Sequence, residues 1–389
     1  MRLTSRRYIL PFILITSLFF LWGFARSILD VLNQHFCDSM EISITESSLI
    51  QVTTFLAYFL TAIPAGAFIA RYGYRRGVVT GLLLYALGSF LFIPGAYINT
   101  LPAFLVCLFI IGIGLTFLET SANPYATELG PSETATSRLN LSQSFNGLGS
   151  MLAPALVGGF LFVGGDITLP YIIMGVVVLL VALVFSRVQL PEIVSEPKQS
   201  DAVKDSSSIS RLSSYFFFGL LALLAYEVAE ISINSYFVMF LTGEGYTDKI
   251  EASRLLSLAL GIFMCGRFIG AWVMQRVRPA IVLTTCTAGS VLCMLAVLSA
   301  PTLAIYALVL NFACESIMFP TIFSLSLNGL DGAAKKKASS LLMMTPVGGC
   351  AFLLMGLIAD SGSWVLPFLI PLLGFAIVLL FAIRATRSA

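Results

Sequence analysis

Charge is what this chain has least of. Asp, Glu, Lys and Arg supply only 11% of its 389 residues, against 58% hydrophobic ones. A soluble domain carries roughly a quarter of its residues charged, so most of this surface is expected to face lipid. Histidine occurs once, at His35, which excludes His-rich metal sites such as a membrane zinc protease. No Ser/His, Cys/His or metal-ligand set stands ready for an intramembrane enzyme, and no cofactor or metal is implied. The net charge of +2 is small and the basic residues are scattered, which argues against a nucleic-acid partner. Cysteine is odd in number at seven, and Cys107, Cys265, Cys286, Cys293, Cys314 and Cys350 lie inside apolar runs. They read as small buried hydrophobes rather than a disulfide framework. No cleavable leader is expected either. Arg2, Arg6 and Arg7 precede an apolar run from Tyr8 to Leu29 with no small-residue cleavage site after it. That run is too long for a signal-peptide core and reads as a first spanning helix.

Long hydrophobic runs are what the chain has instead. About 20 apolar residues carry a helix across the hydrocarbon. That ruler predicts an all-α integral membrane protein of about twelve transmembrane helices, at roughly 8–36, 47–70, 77–97, 101–126, 138–163, 168–187, 214–242, 252–276, 280–300, 302–328, 338–360 and 364–384. One polar stretch, Gln189 to Ser213, interrupts them. Its Pro191, Glu192, Glu196, Pro197, Lys198, Asp201, Lys204, Asp205 and serine run cannot bury a core and read as a flexible linker. Three parts are therefore expected: a six-helix half at 1–188, a linker at 189–213 and a second six-helix half at 214–389. Basic residues collect on one side of this layout. Arg2, Arg6, Arg7, Arg71, Arg75, Arg76, Arg138, Arg187, Lys198, Lys204, Arg211, Arg276, Arg278, Lys335, Lys336, Lys337, Arg384 and Arg387 make 18 of the 22. The other side holds only Lys249 and Arg254, together with Asp38, Glu41, Glu46, Asp166, Glu244, Asp248 and Glu251. The bias predicts a multi-pass protein of the cell (inner) membrane with both termini and the linker cytoplasmic.

The two halves echo each other. Span four holds Glu119-Thr-Ser-Ala-Asn-Pro124 and span ten holds Glu315-Ser-Ile-Met-Phe-Pro320; Asp30 and Glu230 make a looser pair in spans one and seven. Homologous halves place a site between them at the midplane, and Asn123-Pro124 is expected to break its helix there. Seven ionisable residues fall well inside the spans: Arg26, Asp30, Glu119, Glu227, Glu230, Arg267 and Glu315. At ~3 kcal/mol for each unpaired charge at the bilayer centre they would cost about 20 kcal/mol together. They must therefore face the bundle interior, pair, or line water. Five acids against two bases leave some acids protonated or hydrated, which is the equipment of a proton-coupled carrier. Asn140, Gln143 and Asn146 share one side of span five. Their amides suit the hydroxyls of a sugar, and hydrogen bonding between helices is the alternative. Trp22 offers an apolar face to a pyranose ring, or simply packs. The glycines of Gly266-Arg267-Phe-Ile-Gly270 mark a close helix contact, with Arg267 and Glu227 expected in structural pairing.

Here the residues match a known pattern. Gly66-Ala-Phe-Ile-Ala-Arg71-Tyr-Gly73-Tyr-Arg75-Arg76 resembles the major facilitator signature G-x-x-x-D-R-x-G-R-R, with Ala70 where an aspartate is usual. Its physical content is a glycine turn flanked by arginines that bond helix ends. Further runs resemble the fucose-permease branch, the sugar:proton symporters for fucose, glucose, galactose and N-acetylglucosamine. They are Phe19 to Ala25, Leu118 to Pro124, Arg138 to Asn146, Ile317 to Phe323 and Met355 to Asp360. Ala229-Glu230-Ile-Ser-Ile-Asn234-Ser235 looks closer to the glucose/galactose and N-acetylglucosamine carriers. The resemblance implies proton-coupled uptake of a monosaccharide by alternating access, in a monomer whose only coupling ion is the proton.

Carried over, the resemblance makes Asp30 and Glu119 the central carboxylates of proton coupling, with Asp30 also touching sugar. Gln143, Asn146 and, beside them, Asn140 and Trp22 would line the substrate, with Glu230 and Glu315 in the cavity. Three residues depart from the pattern. Arg26 stands where the family has a small or amide residue, Leu29 replaces an asparagine, and Glu315 replaces another. Arg26 lies four residues before Asp30 and is expected to pair with it along one helix face. A uniporter or antiporter of another polar solute, and a membrane sugar sensor, remain the alternatives.

Overall fold

The computed structural model describes residues 4, 6–130, 135–164, 166–188, 214–274, 276–328, 338, 341–342 and 344–388. Among them there is no strand; the chain is a bundle of long helices. The first six are α1 (Ile9–Met40), α2 (Ile44–Tyr72), α3 (Tyr74–Phe90, continued by Phe92–Ile98), α4 (Leu101–Glu128), α5 (Ala135–Ala153) and α6 (Thr168–Arg187). α5 runs on through a π turn, Pro154–Gly158, into Gly159–Leu161. After residue 213 follow α7 (Ser214–Gly243), α8 (Lys249–Val273), α9 (Pro279–Ser299), α10 (Ala304–Glu315, resuming as Met318–Ser326), α11 (Phe352–Asp360) and α12 (Leu369–Ser388). Among the described residues, eleven helices are long and apolar enough to cross a membrane. The eleventh expected span, 338–360, has a 3-10 stretch at Thr345–Ala351 and only a short α-helix after it. The expected linker at 189–213 and the basic loop Lys335–Lys337 lie outside the described residues.

Helix ends follow their sequences. Ser43 caps α2 through a capping box: its hydroxyl accepts from the Glu46 N–H (3.1 Å) while the Glu46 carboxylate accepts from the Ser43 N–H (2.9 Å),. At the other end α2 stops on Gly73, whose φ of 85° suits glycine, and α3 begins at the next residue,. Arg75 then donates to the exposed carbonyls of Phe185 (3.2 Å) and Ser186 that close α6. This is the helix-end bonding expected of the arginine-rich turn. Aliphatic side chains such as Leu292 and Leu373, 66% and 65% exposed, point away from the bundle, as a lipid-facing surface requires.

α1 packs along α5, α2 and α3 along α4, and α3 along α6; in the second set α9 lies along α12, α8 and α9 flank α10, and α7 lies along α12. The α1–α5 crossing is close because Gly23 and Gly149 supply no side chain. A Cβ on Gly149 would collide with the Phe20 carbonyl, and one on Gly23 with the Asn146 carbonyl. The two sets meet where α1 faces α7, α2 faces α11, and α5 faces α8.

One expectation is corrected. Asn123-Pro124 does not break its helix, since α4 continues to Glu128. The break comes at the matching position of span ten, where α10 stops at Glu315 and resumes at Met318. Pro320 has no N–H to give the carbonyl four residues earlier, that of Ser316. Arg267 on α8 takes that carbonyl, donating from Nε at 3.3 Å. Gly266 allows the approach, lying against Ser316 and Ala313. The expected salt bridge of Arg267 is thus replaced by a bond to a freed backbone oxygen, with its guanidinium 4.6 Å from the Phe263 ring centroid.

Candidate functional site

Arg26 and Asp30 stand one turn apart on α1, Glu119 projects from α4, and Glu227 and Glu230 stand nearly one turn apart on α7. All lie in the middle of the bundle, where α1 meets α7. Arg26 Nη2 reaches across to Glu230 Oε2 (3.6 Å) and Glu227 Oε2 (4.0 Å). The expected pairing of Arg26 with Asp30 is therefore replaced by one between the two sets. Asp30 is 7% exposed and accepts from the Ser235 hydroxyl of α7 at 3.3 Å. Glu230 also accepts from Asn234 Nδ2 (3.1 Å).

Beside this cluster lies a small cavity lined by Arg26, Leu29, Thr54, Phe55, Tyr58, Leu115, Glu119 and Pro346. Glu119 forms no ion pair or hydrogen bond with the described residues, so its carboxylate is left to the cavity. Arg26 lies 5.6 Å from the Phe55 ring centroid. The wall thus offers a guanidinium, a carboxylate, a phenol, a hydroxyl and two rings, a set that binds polyhydroxylated solutes by hydrogen bonds and ring stacking.

The structure brings some of the expected residues here and not others. Glu119 lines the cavity; Asp30 and Glu230 lie beside it, in the contact between the sets. Trp22 is 8% exposed and donates from Nε1 to the Tyr58 hydroxyl (3.1 Å), so it supports the wall from behind. Gln143 donates to Asn123 Oδ1 (3.3 Å) and Asn146 to the Phe19 carbonyl (3.3 Å), both between helices. The side chain of Asn140 lies outside the described residues. Glu315 is fully buried at 0% exposure, bonded to Asn311, and does not line the cavity. Sequence reasoning missed Thr54 and Tyr58, although two polar residues four apart in an apolar span mark one inward face. Nothing in the sequence pointed to Pro346.

The two sets are tied together at one end. Call acidic the end that carries Asp38, Glu41, Glu46 and Glu244, and basic the end where Arg75 meets α6 and Arg278 donates to Thr386 near the C-terminus (3.4 Å). Polar contacts between the sets run from the middle to the acidic end: Ser235 to Asp30, Thr242 to Gln34 (3.4 Å), Ser253 to the Pro154 carbonyl, and Lys249 to Asp38 (2.6 Å). The outermost is Asp360, at the end of α11. Its two oxygens accept from the first N–H groups of α2, those of Ile44 (3.0 Å) and Thr45 (2.9 Å). A charged carboxylate on a helix N-terminus is favourable twice over, through the hydrogen bonds and the helix dipole.

A buried charge cluster between two helix sets that are tied together at one end is carrier architecture. The family model of the Major Facilitator Superfamily matches residues 12–352. The chain belongs to that superfamily. It is therefore a membrane carrier and not an enzyme. Among the relatives of this superfamily member, the L-fucose-proton symporter of Escherichia coli (strain K12) is 35% identical over 99% of this chain and 95% of its own length. A glucose/galactose transporter of Brucella abortus is 33% identical over 96% and 93%. The crystal structure of the transporter FucP in the outward conformation superposes with a TM-score of 0.73 at 35% identity, covering 98% of this chain and 99% of that one. An inward-facing bacterial homologue of the lysosomal transporter Spinster gives 0.78 at 14% identity, a likeness of fold.

Proposed function

We propose that this superfamily member carries a monosaccharide inward together with protons, by alternating access. The halves 1–188 and 214–389, joined by 189–213, would rock about the central charge cluster. The observation that carries this reading is the Glu119 carboxylate, without an ion-pair or hydrogen-bond partner among the described residues, lining a central cavity beside the Arg26 charge cluster. The names of the relatives supply the solute class: a fucose-proton symporter and glucose/galactose transporters, each aligned along nearly the whole chain. With the basic end cytoplasmic, as the charge bias supports, the contacts at the acidic end would close the outer side of a carrier in the inner membrane. Glu119 then exchanges its proton with the inner side, while Asp30 sits behind the outer seal. Arg26, Thr54 and Tyr58 join Glu119 as sugar-contacting groups; Gln143 and Asn146 hold α5 against its neighbours in this conformation and reach the sugar as α5 moves.

Purified protein in liposomes tests this with labelled glucose, galactose, fucose and N-acetylglucosamine, with and without an inward proton gradient. One sugar should accumulate only with the gradient. Glu119→Gln should abolish accumulation while exchange of internal for external sugar survives. Equilibration without accumulation would assign a uniporter, and no movement of any of the four would refute the solute class.

A further inference from the structure

Two carboxylates of the second set share one cation that belongs to the first, and a third lies near one of them. Glu227 and Glu230 of α7 share Arg26, at 4.0 and 3.6 Å. Glu315 of α10 lies within electrostatic reach of Glu230. Its Oε2 accepts from Asn311 Nδ2 (2.7 Å), while its Oε1 is buried with no hydrogen-bond partner among the described residues. The remaining groups around the cluster bring little positive charge. Tyr226 on α7 faces Glu230 and Glu315, Cys293 on α9 faces Glu315, and Cys314 neighbours it on α10. Asp30 on α1 and Glu119 on α4 add further acids, towards Glu230 and Glu227 respectively. Arg267 on α8 has Tyr226 and Glu227 in range, but its Nε is committed to the Ser316 carbonyl. Among the described residues, Arg26 is the cation in ion-pair contact with Glu227 and Glu230.

Arg26 meets α7 on the inner side of the contacts that tie α1 to α7 at the acidic end. Ser235 on Asp30 and Thr242 on Gln34 tie the same two helices on its outer side. When that end opens, α1 and α7 part and the guanidinium leaves with α1. Buried carboxylates that lose their counter-ion take up protons instead.

We propose that the Glu227–Glu230–Glu315 cluster is a second proton-binding site, distinct from Asp30 and Glu119, from which Arg26 displaces one proton each time the acidic end closes. The proton leaves a carboxyl of the α7 pair as the guanidinium arrives. No other bond forms or breaks, and the charge of the cluster with its counter-ion is the same before and after. Opening at the acidic end is therefore linked to uptake of one proton at this cluster. This rests on the proton-coupled reading of the carrier, but it is tested without any solute.

Spin labels at Ser39→Cys and Glu244→Cys, both exposed at the acidic end, report its opening by their separation, in a background stripped of reactive native cysteines. Asp30→Asn and Glu119→Gln are included to silence the first proton site. In that background the open-to-closed ratio should rise towards tenfold for each pH unit of acidification across the range where the cluster titrates, as linkage to one proton requires. Glu230→Gln should flatten that dependence. Arg26→Gln should hold the acidic end open with little response to pH, and Arg26→Lys should restore the response. A ratio indifferent to pH between 5 and 8, or a slope unchanged by Glu230→Gln, overturns the proposal and leaves the liposome experiment to judge sugar uptake alone. Elution as a single monodisperse peak and retained label mobility at both sites confirm that each variant is folded.

Discussion

The carboxylate of Asp360 offers the sharpest test of how the acidic end is held shut. It belongs to α11, and the two N–H groups it accepts from open α2 in the other set, at 3.0 and 2.9 Å. Both bonds must break when that end opens. Replacement by asparagine keeps an oxygen acceptor for one of them and removes the charge. A hydrogen bond to a charged group is worth about 1.5–3 kcal/mol net. Asp360 is exposed, and an anion at an exposed helix N-terminus contributes about 0.3–1 kcal/mol. A loss of about 1–2 kcal/mol from the closed state follows, and that is a shift of roughly 5- to 30-fold in the open-to-closed ratio. The Ser39/Glu244 spin-label pair reads this ratio directly. Lys249→Gln is the matched control, since its pair with Asp38 is also between the sets but exposed, and exposed pairs contribute about 0–1 kcal/mol. Equal ratios for Asp360→Asn and the parent protein, within twofold, would mean the seal is held elsewhere and would refute this account.

Other substitutions probe the scaffold around the site. Arg267→Gln should lower thermal stability by about 1–3 kcal/mol, because the Ser316 carbonyl freed by Pro320 loses its donor; an unfolding temperature equal to that of the parent would contradict the capture of that carbonyl. Gly149→Ala should cost about 1–3 kcal/mol through overpacking of the α1–α5 crossing, whereas Gly159→Ala, where a Cβ meets nothing within 4 Å, should be near neutral in the same melt. Tyr58→Phe removes the acceptor for the buried Trp22 N–H; it should cost about 1 kcal/mol of stability and raise the KM for the transported sugar, and an unchanged KM would remove Tyr58 from the binding wall.

Most of the spans and the in-membrane acids were legible because each follows from local composition and the thickness of a bilayer; the eleventh span was not, since a 3-10 stretch at Thr345–Ala351 interrupts it. What was not legible is pairing across the contact between the sets. Four-residue spacing pointed Arg26 at Asp30, but spacing along one helix says nothing of what a second helix brings closer, and α7 brings Glu230 and Glu227. The two proline repeats teach the same lesson. Pro124 and Pro320 follow a glutamate at equal distance, yet only the second interrupts its helix. There a neighbouring helix supplies Arg267 for the freed carbonyl, and Gly266 lets it come near. The Gly-Arg-x-x-Gly run was visible as a close-packing site, but its target was not. Glu315 was expected in the cavity for its resemblance to Glu119, and the broken helix buries it against Asn311 instead.

The seal at the acidic end has a consequence for binding strength. A solute arriving from that side finds its site only in the fraction of molecules that are open, and its apparent Kd is the intrinsic one divided by that fraction. Each contact that Asp360, Lys249 or Thr242 adds to the seal therefore weakens the affinity seen from the acidic side without touching the solute. A variant with a looser seal should bind more tightly from that side and yet turn over more slowly, because the step that returns the empty carrier has lost the same stabilisation.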